Sequence, residues 1–368
     1  VVTLSVSRAH PAHRKQQSQR DINHMTMTRA IRGVGVCALV GVGFTTLMYG
    51  LHPFAPGLLQ ECQSAVSNCE AAWNAFKGDW ASAHSLHLSN ARLWRPRRKF
   101  PVAKRMFDVD LPETQCVDLR RWGSIHDGGK WMCGVPPEQN CCIYSVGSNG
   151  DFEFERAMRR SFPQCDIHTF DHTARDEETL ASWQQKAAEL NVSFHNWGIG
   201  APNPGLNTSN PSPQTGSLLD FTGALGHQGK HIVLKVDVEG AEYEFLLPTL
   251  RECVPRPVQV GSLTVSKSCW SQLLIEVHAY TNPKDPQNRR FLPSSTEQIS
   301  ELFEGIGQAG LRLFMKEPNY WGCDGYRCSE FSFMDEAQAA KTFMERICAP
   351  MLRKTGCSSF VGALTHTS

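Results

Sequence analysis

The chain has 368 residues, 41% of them hydrophobic and 20% charged, with a formal net charge of +1 and 14 cysteines. That length suits one core-forming domain with appendages, and so small a net charge gives no footing for nucleic-acid binding. The cysteine density is ordinary for an oxidised protein and unusual for a reduced cytosolic enzyme. No C-x-x-C pair at matching His or Cys spacing points to structural zinc.

Residues 1–32 carry Arg8, Arg14, Lys15, Arg20, Arg29 and Arg32 against a single Asp21, and read as a basic cytosolic tail in which Met25 or Met27 is a candidate start. Residues 33–51 are uncharged and apolar enough to span a bilayer at about 20 residues. By the positive-inside rule they form a signal anchor that leaves the remainder in the secretory lumen, as a type II membrane protein of the Golgi or endoplasmic reticulum. A signal peptide cleaved after Gly50 leads to the same compartment, or to secretion. Residues 52–112 read as a polar stem, whose basic run Arg95 to Lys99 is a solvated stretch, a processing site or a contact for anionic lipid. Residues 113–368 are the folded domain.

Within that domain strands and helices alternate. Cys142 to Val146, Asp166 to Phe170, Val192 to His195, Ile232 to Val236 and Gln272 to Val277 read as strands, with Leu311 to Met315 and Ser329 to Met334 as a closing pair. Between them, Phe152 to Ser161, Arg175 to Leu190, Ser217 to Leu225, Glu242 to Leu250 and Glu297 to Ala309 have helical patterning, and 198–216 reads as a Gly/Pro/Asn/Ser loop. The pattern predicts an α/β, Rossmann-like, mostly parallel seven-stranded sheet with helices on both faces.

Two motifs about ninety residues apart end such strands in glycine and carboxylate: Ile143-Tyr144-Ser145-Val146-Gly147-Ser148-Asn149-Gly150-Asp151 and Val233-Leu234-Lys235-Val236-Asp237-Val238-Glu239-Gly240-Ala241-Glu242. In an open α/β sheet both aim at the crevice beyond the carboxyl ends of the strands. Asp171 closes the second strand, where a carboxylate can accept from both hydroxyls of a ribose. Asp237, Glu239, Glu276 and His278 all fall at the ends of adjacent strands and are candidates for proton transfer. The cluster could also hold a divalent cation that lowers the pKa of a hydroxyl, although no residue is assigned as a metal ligand.

The segments "SVGSNGD", "HTFDHT", "HNWGIG", "LKVDVEGAEYEFL" and "LLIEVH" resemble, in order and spacing, the FkbM-type S-adenosylmethionine-dependent methyltransferases. With the upstream "HDGGKWMC" they look most similar to the methyltransferase-like protein 24 group, from about Cys116 to the C-terminus. The resemblance implies a class I methyltransferase fold with S-adenosylmethionine as cofactor. Gly147, Ser148 and Asn149 would approach its methionine part, Asp171 would hold the ribose, and Asn196 with Trp197 would lie near the adenine. Asp237 and Glu239 would sit beside the transferred methyl, with His278 as the further catalytic candidate. The acceptor would be a hydroxyl of a glycan or small metabolite. Ser145 stands where the family usually has aspartate and Asp151 where it usually has glycine, so an acidic group near the cofactor's amino group is lost or displaced.

Two other readings follow from the same residues. A secreted binding protein could retain the fold without catalysis, as Ser145 and Asp151 suggest. A lumenal glycosyltransferase would use an anchor, a stem and the D-x-D of Asp108-Val109-Asp110, although that motif precedes the first sheet strand. Sequons at Asn191 and Asn207 and local bridges Cys62–Cys69, Cys116–Cys133, Cys253–Cys269 and Cys323–Cys328 complete the lumenal expectation.

Overall fold

The computed structural model describes residues 56–77, 112–136, 140–210, 212–278, 280–281, 292–293, 296–322 and 328–357. The apolar segment 33–51, the basic run 95–99, the D-x-D at 108–110 and Cys323 lie outside them. Among the described residues no helix is long and apolar enough to cross a membrane. The chain divides into two compact units, 1–78 and 79–368. In the first, helix α1 (Pro56–Lys77) buries Cys62, Ala65, Cys69 and Trp73, a stripe at three- and four-residue spacing.

The second unit is built on a seven-stranded sheet. Its strands are β3 (Cys141–Val146), β4 (Asp166–Phe170), β5 (Ser193–His195), β8 (His231–Val236), β11 (Gln272–His278), β14 (Leu311–Pro318) and β15 (Cys328–Asp335), in the order β14-β15-β11-β8-β3-β4-β5. β15 runs antiparallel to both neighbours and the other pairings are parallel. The chain winds outward from β3 to β5, then returns to place β8 on the other side of β3, so the sheet reverses direction between β3 and β8. At such a reversal the loops separate and leave a crevice.

Both faces are covered, which is why the central strands are apolar without alternation: every residue of β3 and of β11 is buried. On one face Tyr144, Leu234 and Ile275 pack with α4 (Leu218–Ala224), α6 (Thr296–Gln308) and the helix after β8. On the other, Ile143, Ile167, Val233 and Leu274 pack with α2 (Glu153–Ser161) and α3 (Glu177–Glu189). α3 starts at Asp176, which accepts from Thr179 N–H, and α4 at a capping box between Ser217 and Asp220. The helix after β8 opens as a π turn, Glu242–Leu246, before α5 (Leu247–Glu252), and the C-terminal segment repeats the arrangement with Met344–Cys348 before α8 (Ala349–Lys354). In each, proline (Pro248, Pro350) is the second residue of the following α-helix, so the backbone N–H that the preceding turn would bond is missing and the ladder widens.

Several elements differ from the sequence expectation. A hairpin, β1 (Leu119–Trp122) with β2 (Lys130–Cys133), precedes the first sheet strand, and a second, β9 (Arg256–Val260) with β10 (Leu263–Lys267), precedes β11. The expected loop 198–216 is partly ordered by β6 (Trp197–Ile199) pairing with β7 (Gln214–Gly216). A short pair joins β12 (Tyr280–Thr281) to β13 (Leu292–Pro293), and α7 (Glu336–Phe343) continues the chain after β15. These are short, or gain their stability from packing on the sheet, and leave little local signal. Bridges join Cys116 to Cys133 and Cys253 to Cys269, as expected, and also Cys141 to Cys165, which ties the start of β3 to the start of β4. The expected Cys62–Cys69 pair does not form: Cys62 is disulfide-bonded, whereas Cys69 is a buried thiol.

Candidate active site

The carboxyl ends of β3 and β8 meet at Gly147. A Cβ on Gly147 would lie 1.8 Å from the Asp237 carbonyl oxygen, and its φ of +79° belongs to the left-handed region, so only glycine lets the two loops approach this closely. Asp237 N–H donates to Val146 C=O (2.9 Å), and the buried Lys235 ammonium donates to Gly147 C=O (2.9 Å). The glycine loop is therefore fixed from the β8 side.

From the β4 side it is fixed by Asp171, which is buried. Its Oδ2 accepts from the N–H groups of Ser148 (2.9 Å) and Asn149 (2.7 Å), and its Oδ1 accepts from the N–H (2.9 Å) and hydroxyl (2.6 Å) of Thr173. Four donors match the lone-pair capacity of a carboxylate. Asn149 stands in the left-handed region at φ +47°, a conformation that asparagine tolerates better than most residues. Gly147, Ser148, Asn149 and Asp171 are thus one assembly. Asn196 follows β5 and its carbonyl accepts from Gln214 N–H (3.1 Å). Trp197 is packed in the core against Phe170, His195 and Phe221, which leaves its backbone, rather than its ring, for any contact in the crevice.

The second assembly gathers Asp237, Glu239 and His278, whose oxygen and nitrogen atoms come within 4.8 Å of one another. β8 ends at Val236, so Asp237 and Glu239 are beyond the strand. Glu239 holds φ +53° and Gly240 φ +93°, a sharp reversal that sends the largely exposed Glu239 side chain toward His278 Nε2 (3.5 Å). His278 Nδ1 lies 2.8 Å from Glu242 Oε1 inside the π turn, and Tyr243 hydroxyl donates to the His278 carbonyl. Burial would lower the His278 pKa, but the hydrogen bond and charge of Glu242, with Glu276 and Asp237 nearby, push it up to about 9. The imidazole is therefore a cation at neutral pH, held between carboxylates.

The same face of the sheet is polar at this end. Ser145, Thr169, Lys235 and Glu276 replace the apolar residues one pleat further back. Burial would raise the Asp237 pKa, yet Lys130, Lys235 and His278 together hold it well below the ordinary carboxylate range. Glu276 moves the opposite way: burial and the carboxylates of Asp237 and Glu330 push it up. Glu155, from the first turn of α2, is buried beside Thr169, whose hydroxyl donates to its Oε1 (3.4 Å), and burial raises its pKa despite the Lys235 charge.

The sequence reading gave no role to Lys130, Lys235, Glu155, Glu242 or Glu330. The available signal was a charged residue inside an otherwise apolar strand, as for Lys235 in β8 and Glu330 in β15. Asp237, Glu239 and Glu242 were visible in one motif, but the pairing of Glu242 with His278 was not.

A methyltransferase-domain family model matches residues 68–335, well over half of the chain. The chain belongs to this family. No curated protein is matched by the sequence. Among solved structures, the Methanococcus jannaschii fibrillarin pre-rRNA processing protein is similar over 55% of this chain and 70% of its own, at 13% identity and a TM-score of 0.30. The antibiotic-resistance methyltransferase Kmr is similar over 58% of this chain and 99% of its own, at 12% identity and a TM-score of 0.32. A SAM-dependent methyltransferase from Aquifex aeolicus is similar over 55% and 84%, at 12% identity and a TM-score of 0.26.

Proposed function

We propose that this methyltransferase domain moves the methyl group of S-adenosylmethionine to a hydroxyl of a glycan or small metabolite, within the secretory lumen, and that it belongs to the FkbM-like group its motifs resemble. The observation that carries the reading is the junction at Gly147. There a tight glycine loop held in place by Asp171, suited to close approach of the cofactor, touches the Asp237 loop, suited to the acceptor. Methyl transfer from a sulfonium is an in-line displacement, so catalysis is mostly alignment of nucleophile, methyl and sulfur. Gly147, Ser148 and Asn149 would face the methionine part and Asn196 with the Trp197 backbone the adenine; Asp171, expected to hold the ribose, instead has its oxygens filled by Ser148, Asn149 and Thr173 and would act by holding the loop in place. Asp237, ionised, would accept the hydroxyl's hydrogen bond and take its proton as the new C–O bond makes that proton acidic. Glu239 and the His278 imidazolium would hold the rim. No divalent cation is needed in this scheme.

The lumenal location is supported by the bridges Cys116–Cys133, Cys141–Cys165 and Cys253–Cys269 and by the exposure of both sequon asparagines, Asn191 and Asn207. Calorimetric titration tests the cofactor: S-adenosylmethionine should bind and nucleotide sugars should not. Asp171→Ala should weaken binding indirectly, by releasing the Ser148 and Asn149 N–H groups and loosening the loop they belong to. Protease protection in sealed microsomes tests the compartment. Binding of a nucleotide sugar alone, or a domain digested from the cytosolic side, would sink the corresponding half.

A further inference from the structure

The β1–β2 hairpin delivers a lysine into the polar end of the sheet. Lys130 is 1% exposed, with its ammonium 2.5 Å from Glu330 Oε1 and 3.4 Å from Asp237 Oδ2. Oxygens of Asp127, Glu276 and Glu330 also come within 4.8 Å of one another, so these carboxylates and Asp237 share one neighbourhood with the Lys130 ammonium, to which Lys235 and His278 add further positive charge. Glu330 Oε2 is buried and has no hydrogen-bond partner among the described residues. A set of converging carboxylate oxygens is what a hard divalent cation requires.

The lysine is not a surface side chain that happens to fold inward. The Cys116–Cys133 bridge closes its strand. Cys133 N–H donates to Gln272 Oε1 (2.8 Å), and Cys133 C=O accepts from the side-chain amides of Gln272 (2.9 Å) and Gln338 (3.1 Å). Strand β2 is thereby fastened to β11 and α7, and Lys130 has one place to go.

We propose that Lys130 is the resident cation of the acceptor site, a positioning residue whose ammonium stands in for a divalent metal among these carboxylates. That the cluster is an acceptor site rests on the methyltransferase reading above; the occupation of the cluster by Lys130 does not. Buried carboxylates left without a counter-charge are strongly destabilising, so loss of the ammonium creates a demand for another cation.

The test is titration of the whole lumenal chain with Mn²⁺, read by electron paramagnetic resonance and by the shift in Tm. The native protein should show no Mn²⁺ site that Glu330→Gln removes. Lys130→Ala and Lys130→Gln should lose thermal stability and gain one Mn²⁺ per chain, bound at least tenfold more tightly than by the native protein. Adding Glu330→Gln should abolish that site, and Lys130→Arg should keep the metal out. The proposal is overturned if the native protein binds Mn²⁺ at a site removed by Glu330→Gln, or if folded Lys130→Ala binds no more than the native protein. Should neither neutral variant fold, the native protein against Glu330→Gln decides alone. S-adenosylmethionine titration of the same samples judges the cofactor separately, because its failure leaves the Mn²⁺ result standing.

Discussion

Asp237 is ionised because Lys130, Lys235 and His278 surround it, and the same charges make it a weak base. A general base with a pKa near the working pH would accept a proton early, whereas a depressed carboxylate acts first by orienting the hydroxyl. Asp237→Asn keeps the shape and removes the charge. Once an acceptor is identified, its turnover should fall by about 10²-fold or more while S-adenosylmethionine affinity is retained, since the glycine loop proposed to face the cofactor is held from Lys235 and Asp171. Normal turnover would remove Asp237 from the mechanism. His278 would not inherit the role of base, because a pKa of about 9 leaves it protonated at neutral pH.

At the scale of elements, the Gly147 loop and the Asp237 loop behave as one unit. Two glycines separate the contributions of backbone conformation and close approach. Gly147 and Gly226 both have positive φ, +79° and +67°, but a Cβ on Gly147 would strike the Asp237 carbonyl, whereas one on Gly226 would meet nothing within 4 Å. Gly226→Ala should cost roughly 1 kcal/mol, the left-handed penalty alone. Gly147→Ala should cost roughly 1 to 3 kcal/mol more, because the β3 and β8 loops must part, and should also weaken S-adenosylmethionine binding. Denaturant unfolding of the two variants measures the difference. Equal costs would mean that the loops yield freely and that the junction is not rigid.

The whole molecule carries buried titratable groups whose pH dependences oppose each other. His168, His195 and His227 lie together, His168 Nδ1 2.9 Å from His195 Nε2 and the His168 and His227 ring centroids 4.9 Å apart. Burial and mutual repulsion hold His168 at about 3 and His195 at about 4, with Asp166 pulling weakly the other way on His168 and Lys230 adding repulsion. A histidine whose folded pKa lies below its unfolded value favours folding fully above about 6.5; that contribution is lost as pH falls toward the folded value. Asp335, raised to about 7 by burial, does the reverse: its contribution is complete below its unfolded pKa and is lost as pH rises through about 7. The two trends mask each other in the native curve. His168→Leu isolates one of them, and its Tm relative to the native protein should rise between pH 7 and pH 5. A constant difference would show that His168 is not the buried neutral group described.

Much of this architecture was written in local pattern. The runs Cys142 to Val146, Ile232 to Val236 and Gln272 to Val277 are too apolar to be half-exposed, and the glycine–carboxylate endings after two of them place Gly147, Asp171, Asp237, Glu239 and His278 at the same end of a parallel sheet. Chain order alone carries that information, because strands joined by helices on their faces present their carboxyl ends together. Which charges meet there was not local. Lys130 and Asp237 are 107 residues apart, Lys130 and Glu330 200, and no spacing rule relates them. Only the packing of the β1–β2 hairpin against β11 and β15 brings them into contact, and that proximity sets which carboxylates are ionised and which stay protonated. Coulomb interactions act through space over a few ångströms, so the charge state of the site belongs to the folded arrangement, whereas the position of the site belongs to the sequence.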